Sequence, residues 1–126
     1  MDKKMILLDE FNLYKKYYEM MVYVLERVKK YPKYEKDGLV IDIKNNLYGG
    51  MEIVISIHKE SDIKNRLILL NKLDVQIKLM SVLIRLSYDN KYINNDNYEA
   101  WSRKLTDVSN LMGGLINHCN NNLKKG

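Results

Sequence analysis

A chain of 126 residues with 46% apolar and 29% charged residues is long enough to bury a core without disulfides or a structural metal, and its composition excludes an intrinsically disordered protein. No apolar run approaches the roughly 18 residues of a spanning helix, and the single cysteine, Cys119, excludes an internal disulfide framework. A net charge of +5 and a pI near 9.2 favour an acidic partner such as nucleic acid, although charge this modest also occurs on proteins that bind none.

One proline and few glycines leave long uninterrupted stretches whose apolar residues recur at steps of three and four, so helices are expected throughout. The first is predicted over roughly residues 10–30, capped by Asp9, with Phe11, Tyr14, Tyr18, Met21, Leu25 and Val28 on its core seam. Tyr31 and Pro32 end it, because proline lacks a donor and disfavours helical geometry in the residue before it.

The second is predicted over roughly 34–58, with Val40, Ile43, Leu47, Gly50, Val54 and Ile57 on one stripe and Ile41, Tyr48, Met51 and Ile55 on another. Two stripes indicate either a subunit contact or one broad buried face. Gly49 and Gly50 each lower helix propensity by about 1 kcal/mol, so a close backbone approach or a bend is expected there.

The third, roughly 62–88, starts at Ser61 or Asp62 and carries Ile63, Arg66, Leu70, Leu73, Ile77, Met80 and Ile84 on its seam. Leu67, Leu69, Val75, Leu79, Val82, Leu83 and Leu86 nearly complete the circle, which predicts substantial burial by neighbours in the chain or by other subunits. After the turn-forming DNKYINND, a capping-box spacing of Asp96 and Glu99 opens a fourth helix over roughly 97–118. Its seam is Tyr98, Trp101, Leu105, Val108, Met112, Leu115 and Cys119, and CNNNLKKG reads as a frayed tail. Four such segments with short connections specify one domain, residues 1–126, folded as an all-α, antiparallel up-down-up-down four-helix bundle with short disordered ends.

The chain holds no phosphate-binding loop, dinucleotide fingerprint, nucleophile elbow or HExxH, so neither catalysis nor a cofactor is expected. His58 and His118 lack a glutamate three residues before them, which removes the di-iron bundle signature and leaves no metal site within one chain. Both are read as helix-end cations, and Cys119 as core. Asp74 sits in an apolar stretch, where a carboxylate needs a partner; Arg66, Arg85 and Arg103 are the candidates, and Arg66 and Arg85 are assigned to pairing within or between subunits. The N-terminal apolar run is too short for a signal peptide, so a cytoplasmic protein is expected.

The cations expected to meet nucleic acid are Lys29, Lys30 and Lys33 near the first turn, and Lys72, Lys78, Arg103 and Lys104 along the third and fourth helices. Lysines outnumber arginines seventeen to four, a bias that also fits an AT-rich coding genome, so a purely structural helical oligomer is the alternative. Most of the ten tyrosines, Tyr14, Tyr18 and Tyr98 among them, are read as packing residues.

Several strings, in order along the chain, resemble one family. VKKYPKYEKDGL closes the first helix; RLILLNKLD, from Arg66 to Asp74, runs into VQIKLMSVLIRL, which includes Arg85; Tyr88 and Asp89 form a short turn; and LMGGLINHC contains Gly113 and Gly114, with Leu115 where the family commonly has tryptophan. Together, from about Tyr14 to His118, they are similar to the accessory variability proteins of diversity-generating retroelements, and to the four-helix proteins of ribosomal RNA intervening sequences in the same superfamily. The resemblance implies a homopentameric barrel of four-helix protomers that binds RNA or DNA and contacts a retroelement reverse transcriptase, with the polymerase supplying the chemistry. It also groups Gly113 and Gly114 with Arg66, Asp74 and Arg85 as structural or assembly positions.

Overall fold

The computed structural model describes the backbone of residues 3–125 and the side chains of residues 11–124. Four helices follow one another: α1 (Lys3–Val28), α2 (Leu39–Lys59), α3 (Ile63–Asp89) and α4 (Asn95–Lys125), with a 3-10 turn at Lys33–Glu35 between the first two. No strand occurs among the described residues. Consecutive helices pack on one another and α1 also packs on α4, while the diagonal pairs α1/α3 and α2/α4 do not approach. The result is a square antiparallel bundle with one core along its axis.

The seams of α2 and α4 fall where the sequence pattern places them. Val40, Ile43, Leu47, Gly50, Val54 and Ile57 are buried on α2; so are Trp101, Leu105, Val108, Met112, Leu115 and Cys119 on α4, with Tyr98 half-buried. On α3, Leu70, Leu73, Ile77, Met80 and Ile84 line the core, joined by Leu83.

On α1 the register differs from expectation. Leu13, Tyr17, Met20, Val24 and Val28 face inward, whereas Phe11, Tyr14 and Tyr18 are exposed. Both sets advance by steps of three and four, and only contact with α2 and α4 selects between them. The deciding contact involves Tyr17, which is 2% exposed and donates from Oη to the Leu47 carbonyl across 2.7 Å. That hydroxyl occupies the space a side chain at position 50 would need, so Gly50 is the close backbone approach expected of this glycine pair. Burial also pushes the Tyr17 phenol above its ordinary range.

Several helix ends also differ. α1 begins at Lys3, so Asp9 lies inside the helix and is no cap; its side chain is outside the described residues. The 3-10 turn delays α2 to Leu39. Asp62 caps α3 as anticipated, accepting from the Asn65 N–H at 3.4 Å. For α4 the cap is Asn94, whose Oδ1 accepts from the Asn97 N–H at 2.8 Å, and Asp96 falls within the first turn.

The tail expected to fray is helical to Lys125, which makes His118 an interior residue, hydrogen-bonded to Asn122 at 2.7 Å. Leu123, half-buried, lines a surface depression together with Ser61, Asp62 and Ile63 at the start of α3.

Asp74 is not buried. Its carboxylate pairs with Lys78 one turn on, at 2.7 Å and with a third of its side chain exposed, rather than with Arg66, Arg85 or Arg103. Such a pair is worth roughly 0.3–0.5 kcal/mol. Arg66 closes the end of α2, donating to the carbonyls of Ile57 and Glu60 at 3.1 and 2.9 Å, and Arg85 pairs with Asp89 at 3.0 Å. A Cβ at Gly113 or Gly114 would meet nothing within 4 Å, so neither glycine is required by packing inside the protomer.

Candidate nucleic-acid and assembly surfaces

The first loop is held by tyrosines. After α1 ends, Tyr31 turns inward, 7% exposed, and its ring packs on Tyr92 of the α3–α4 turn with centroids 5.2 Å apart. Tyr34 reaches the same residue through an Oη–Oη hydrogen bond of 3.1 Å, and the Tyr92 phenol is raised well above its usual range, first by that bond and then by Glu35. Lys91 completes that turn in the left-handed region at φ 63°. Two connections far apart in sequence are thereby tied together at one end of the bundle, and Lys29, Lys30 and Lys33 stand exposed on the first of them.

A second cationic group adjoins on the α1–α4 side. The Tyr23 ring carries the Arg27 guanidinium 5.3 Å from its centroid and the Lys104 ammonium at 5.4 Å. Its hydroxyl is placed by Asn97, whose carbonyl accepts at 3.4 Å and whose Nδ2 donates at 3.3 Å. Aromatic faces attract cations electrostatically, so this ring fixes two positive side chains beside each other. Arg103 is exposed on the outer face of α4 next to Lys104. Arg27 and its platform Tyr23 were missed from sequence, because nothing in the spacing of α1 says that a ring from one helix will gather cations from two.

The seven expected cations therefore divide. Lys29, Lys30, Lys33, Arg103 and Lys104 lie toward the end where α1 finishes and α4 begins. Lys72 and Lys78 lie mid-helix on α3; Lys72, seventeen residues before Asp89, is about 25 Å from that end at 1.5 Å per residue. Carboxylates partly neutralise two of the seven: Lys29 bonds Glu26 at 2.8 Å, and Lys78 bonds Asp74. The Glu26 carboxyl is held below the usual range, chiefly by the hydrogen bond and charge of Lys29. Lys30, Lys33, Lys72, Arg103 and Lys104 have no ion pair among the described residues.

Two apolar faces are open to solvent. On α3, Ile68, Val75, Leu79, Val82 and Leu86 are 44–66% exposed and follow one another at steps of seven, four, three and four, which puts them on a single outer stripe. Of the two sources of burial expected for this helix, neighbours in the chain or other subunits, the neighbours in the chain leave this stripe uncovered. The other face spans α1 and α2: Phe11, Tyr14, Tyr18 and Val22 from one, Ile41, Tyr48 and Ile55 from the other, all exposed. Phe11, Tyr14, Ile55 and His58 border a cleft of about 290 Å³ between these helices, floored by Leu13, Val54 and Ile57. The Tyr14 and Tyr18 rings stack with centroids 6.4 Å apart along its rim. The second stripe of α2 is thus an outward face, not part of a broad buried one.

No described helix is long and apolar enough to cross a membrane, and no group of three or more His, Cys, Asp or Glu side chains among the described residues is arranged to hold a metal ion. In comparison with known proteins, the model of a family described as bAvd-like matches residues 11–119. No curated protein and no solved structure matches the chain. The matched span covers the core positions of all four helices, in agreement with the resemblance drawn from the sequence strings.

Proposed function

This chain belongs to the bAvd-like family, and we propose that it is an accessory variability determinant of a diversity-generating retroelement: a non-catalytic, cytoplasmic protein that binds the element's reverse transcriptase and its RNA or cDNA. The observation that carries the reading is the family match across all four helices. In this role the chain forms a homopentameric ring, and the polymerase performs the copying.

The rigid cationic end supports the nucleic-acid part. Phosphate contacts draw affinity from counterion release and need no sequence-specific pocket, so exposed lysines on a well-ordered end suffice. A protomer with a net charge of +5 offers a weak footprint alone. Repetition around a ring brings like patches together, and their summed field holds an anionic strand where single protomers would not.

Lys30, Lys33 and Arg103 are exposed and without carboxylate partners among the described residues, so reversing them disturbs charge and not packing. A Lys30→Glu, Lys33→Glu, Arg103→Glu variant is expected to bind single-stranded RNA at least tenfold more weakly. The slope of log affinity against log salt should fall by about 2, at about 0.7 per lost phosphate contact. An unchanged affinity and slope, with helical content intact, overturns this surface.

A further inference from the structure

We infer that copies of this chain join head to tail, the apolar stripe of α3 on one protomer seating across the α1–α2 face of the next. The inference rests on the ring reading and names the surfaces that make it. α1 and α3 occupy diagonal corners of the bundle and do not touch, so the two open faces look to different sides of the protomer. A contact that used either face twice, about a two-fold axis, would cover one and leave the other in water. One contact between unlike faces covers both, and its repetition closes a ring when the rotation between neighbours divides a full turn, as the ring reading requires.

The faces are unlike in chemistry as well as position. The α3 stripe is wholly aliphatic, a ridge of β-branched and leucine side chains. The α1–α2 face is rich in aromatic rings and contains the cleft, a concave surface able to receive such a ridge. Charge agrees: Lys72 stands within the α3 stripe, three residues before Val75, and Glu52 stands within the α2 stripe, between Tyr48 and Ile55. Neither has an ion pair among the described residues. A two-fold contact through α3 would set lysine against lysine, whereas the unlike contact sets lysine against glutamate. From Ile68 to Leu86 the stripe is about 27 Å long. That matches the edge of a standard interface patch of about 800 Å² per partner, roughly 28 Å across.

Mixing two blocked variants by light scattering tests this. Val75→Glu places a charge on the α3 stripe and Tyr18→Glu one on the α1–α2 face; both positions are more than half exposed, so neither charge is buried in the protomer. The wild-type chain is expected to be multimeric and each variant alone monomeric with full helical circular dichroism. An equimolar mixture should give a one-to-one dimer, because each variant keeps the face the other needs. Val82→Glu and Tyr48→Glu serve as the second pair should either first variant misfold. A variant that dimerises by itself, a mixture that stays monomeric, or a monomeric wild type overturns the pairing. A monomer that still binds RNA with a steep salt dependence would leave the nucleic-acid reading standing while this one falls.

Discussion

Gly50→Ala destabilises the bundle by about 2–3 kcal/mol, despite replacing glycine by the best helix former. The added methyl gains about 1 kcal/mol of helix propensity. Against this, its Cβ would overlap the Tyr17 hydroxyl and lie 2.7 Å from Tyr17 Cζ. Tyr17 is held between α1 and α2 and its hydroxyl is bonded to the Leu47 carbonyl, so it can retreat only by breaking that bond and opening the core. Overpacking costs about 1–3 kcal/mol and a buried hydroxyl left without its acceptor about 1–3 more. At fixed protein concentration the melting temperature should fall by about 10 °C. In a double-mutant cycle with Tyr17→Leu the losses are expected not to add: the double variant should be at least as stable as Tyr17→Leu alone. Additive losses would mean that Gly50 is not kept for this contact.

Trp101→Ala is expected to cost about 3–5 kcal/mol, the range for emptying a large aromatic site in a core. Trp101 is fully buried on α4, and its indole Nε1 has no acceptor among the described residues. Trp101→Ala and Trp101→Phe both remove this donor, so the size of the cavity left behind separates them. Trp101→Phe leaves a smaller cavity and also removes a buried donor whose desolvation is uncompensated, a relief of about 1–3 kcal/mol. It is therefore expected to cost only about 1 kcal/mol or less, read by urea denaturation of both variants side by side. A loss of several kcal/mol in Trp101→Phe would show that the indole N–H contributes a bond of its own.

How much of this was legible in the sequence depended on whether a helix offers one apolar register or two. α4 offers one, and its buried seam from Trp101 to Cys119 could be read directly. α2 offers two, and the sequence identified both while leaving open whether the second meets a subunit or joins one broad buried face. α1 also offers two, and there the wrong one was favoured. Phe11, Tyr14 and Tyr18 fit helical periodicity as well as Leu13, Tyr17 and Met20 do, and an apolar residue on an outer face looks like core in a single sequence.

The helix ends were less legible still. Asn94 and Asp96 are both good caps, and the choice between them depends on where the α3–α4 turn finishes. The polar string after Cys119 hid Leu123, whose place beside the start of α3 follows only from the closed bundle. On the surface, lysine spacing found the cations of the first loop but not the Tyr23 ring that brings Arg27 and Lys104 together across two helices. That grouping arises from the α1–α4 contact, between the two helices farthest apart in the chain.

The most direct test of the central claim is the mass, by size exclusion with light scattering, of this chain mixed with the reverse transcriptase of its own retroelement and the template RNA. The account predicts a complex that contains both proteins, with the chain present in several copies per polymerase. A polymerase that elutes alone beside a folded, unbound chain would contradict it.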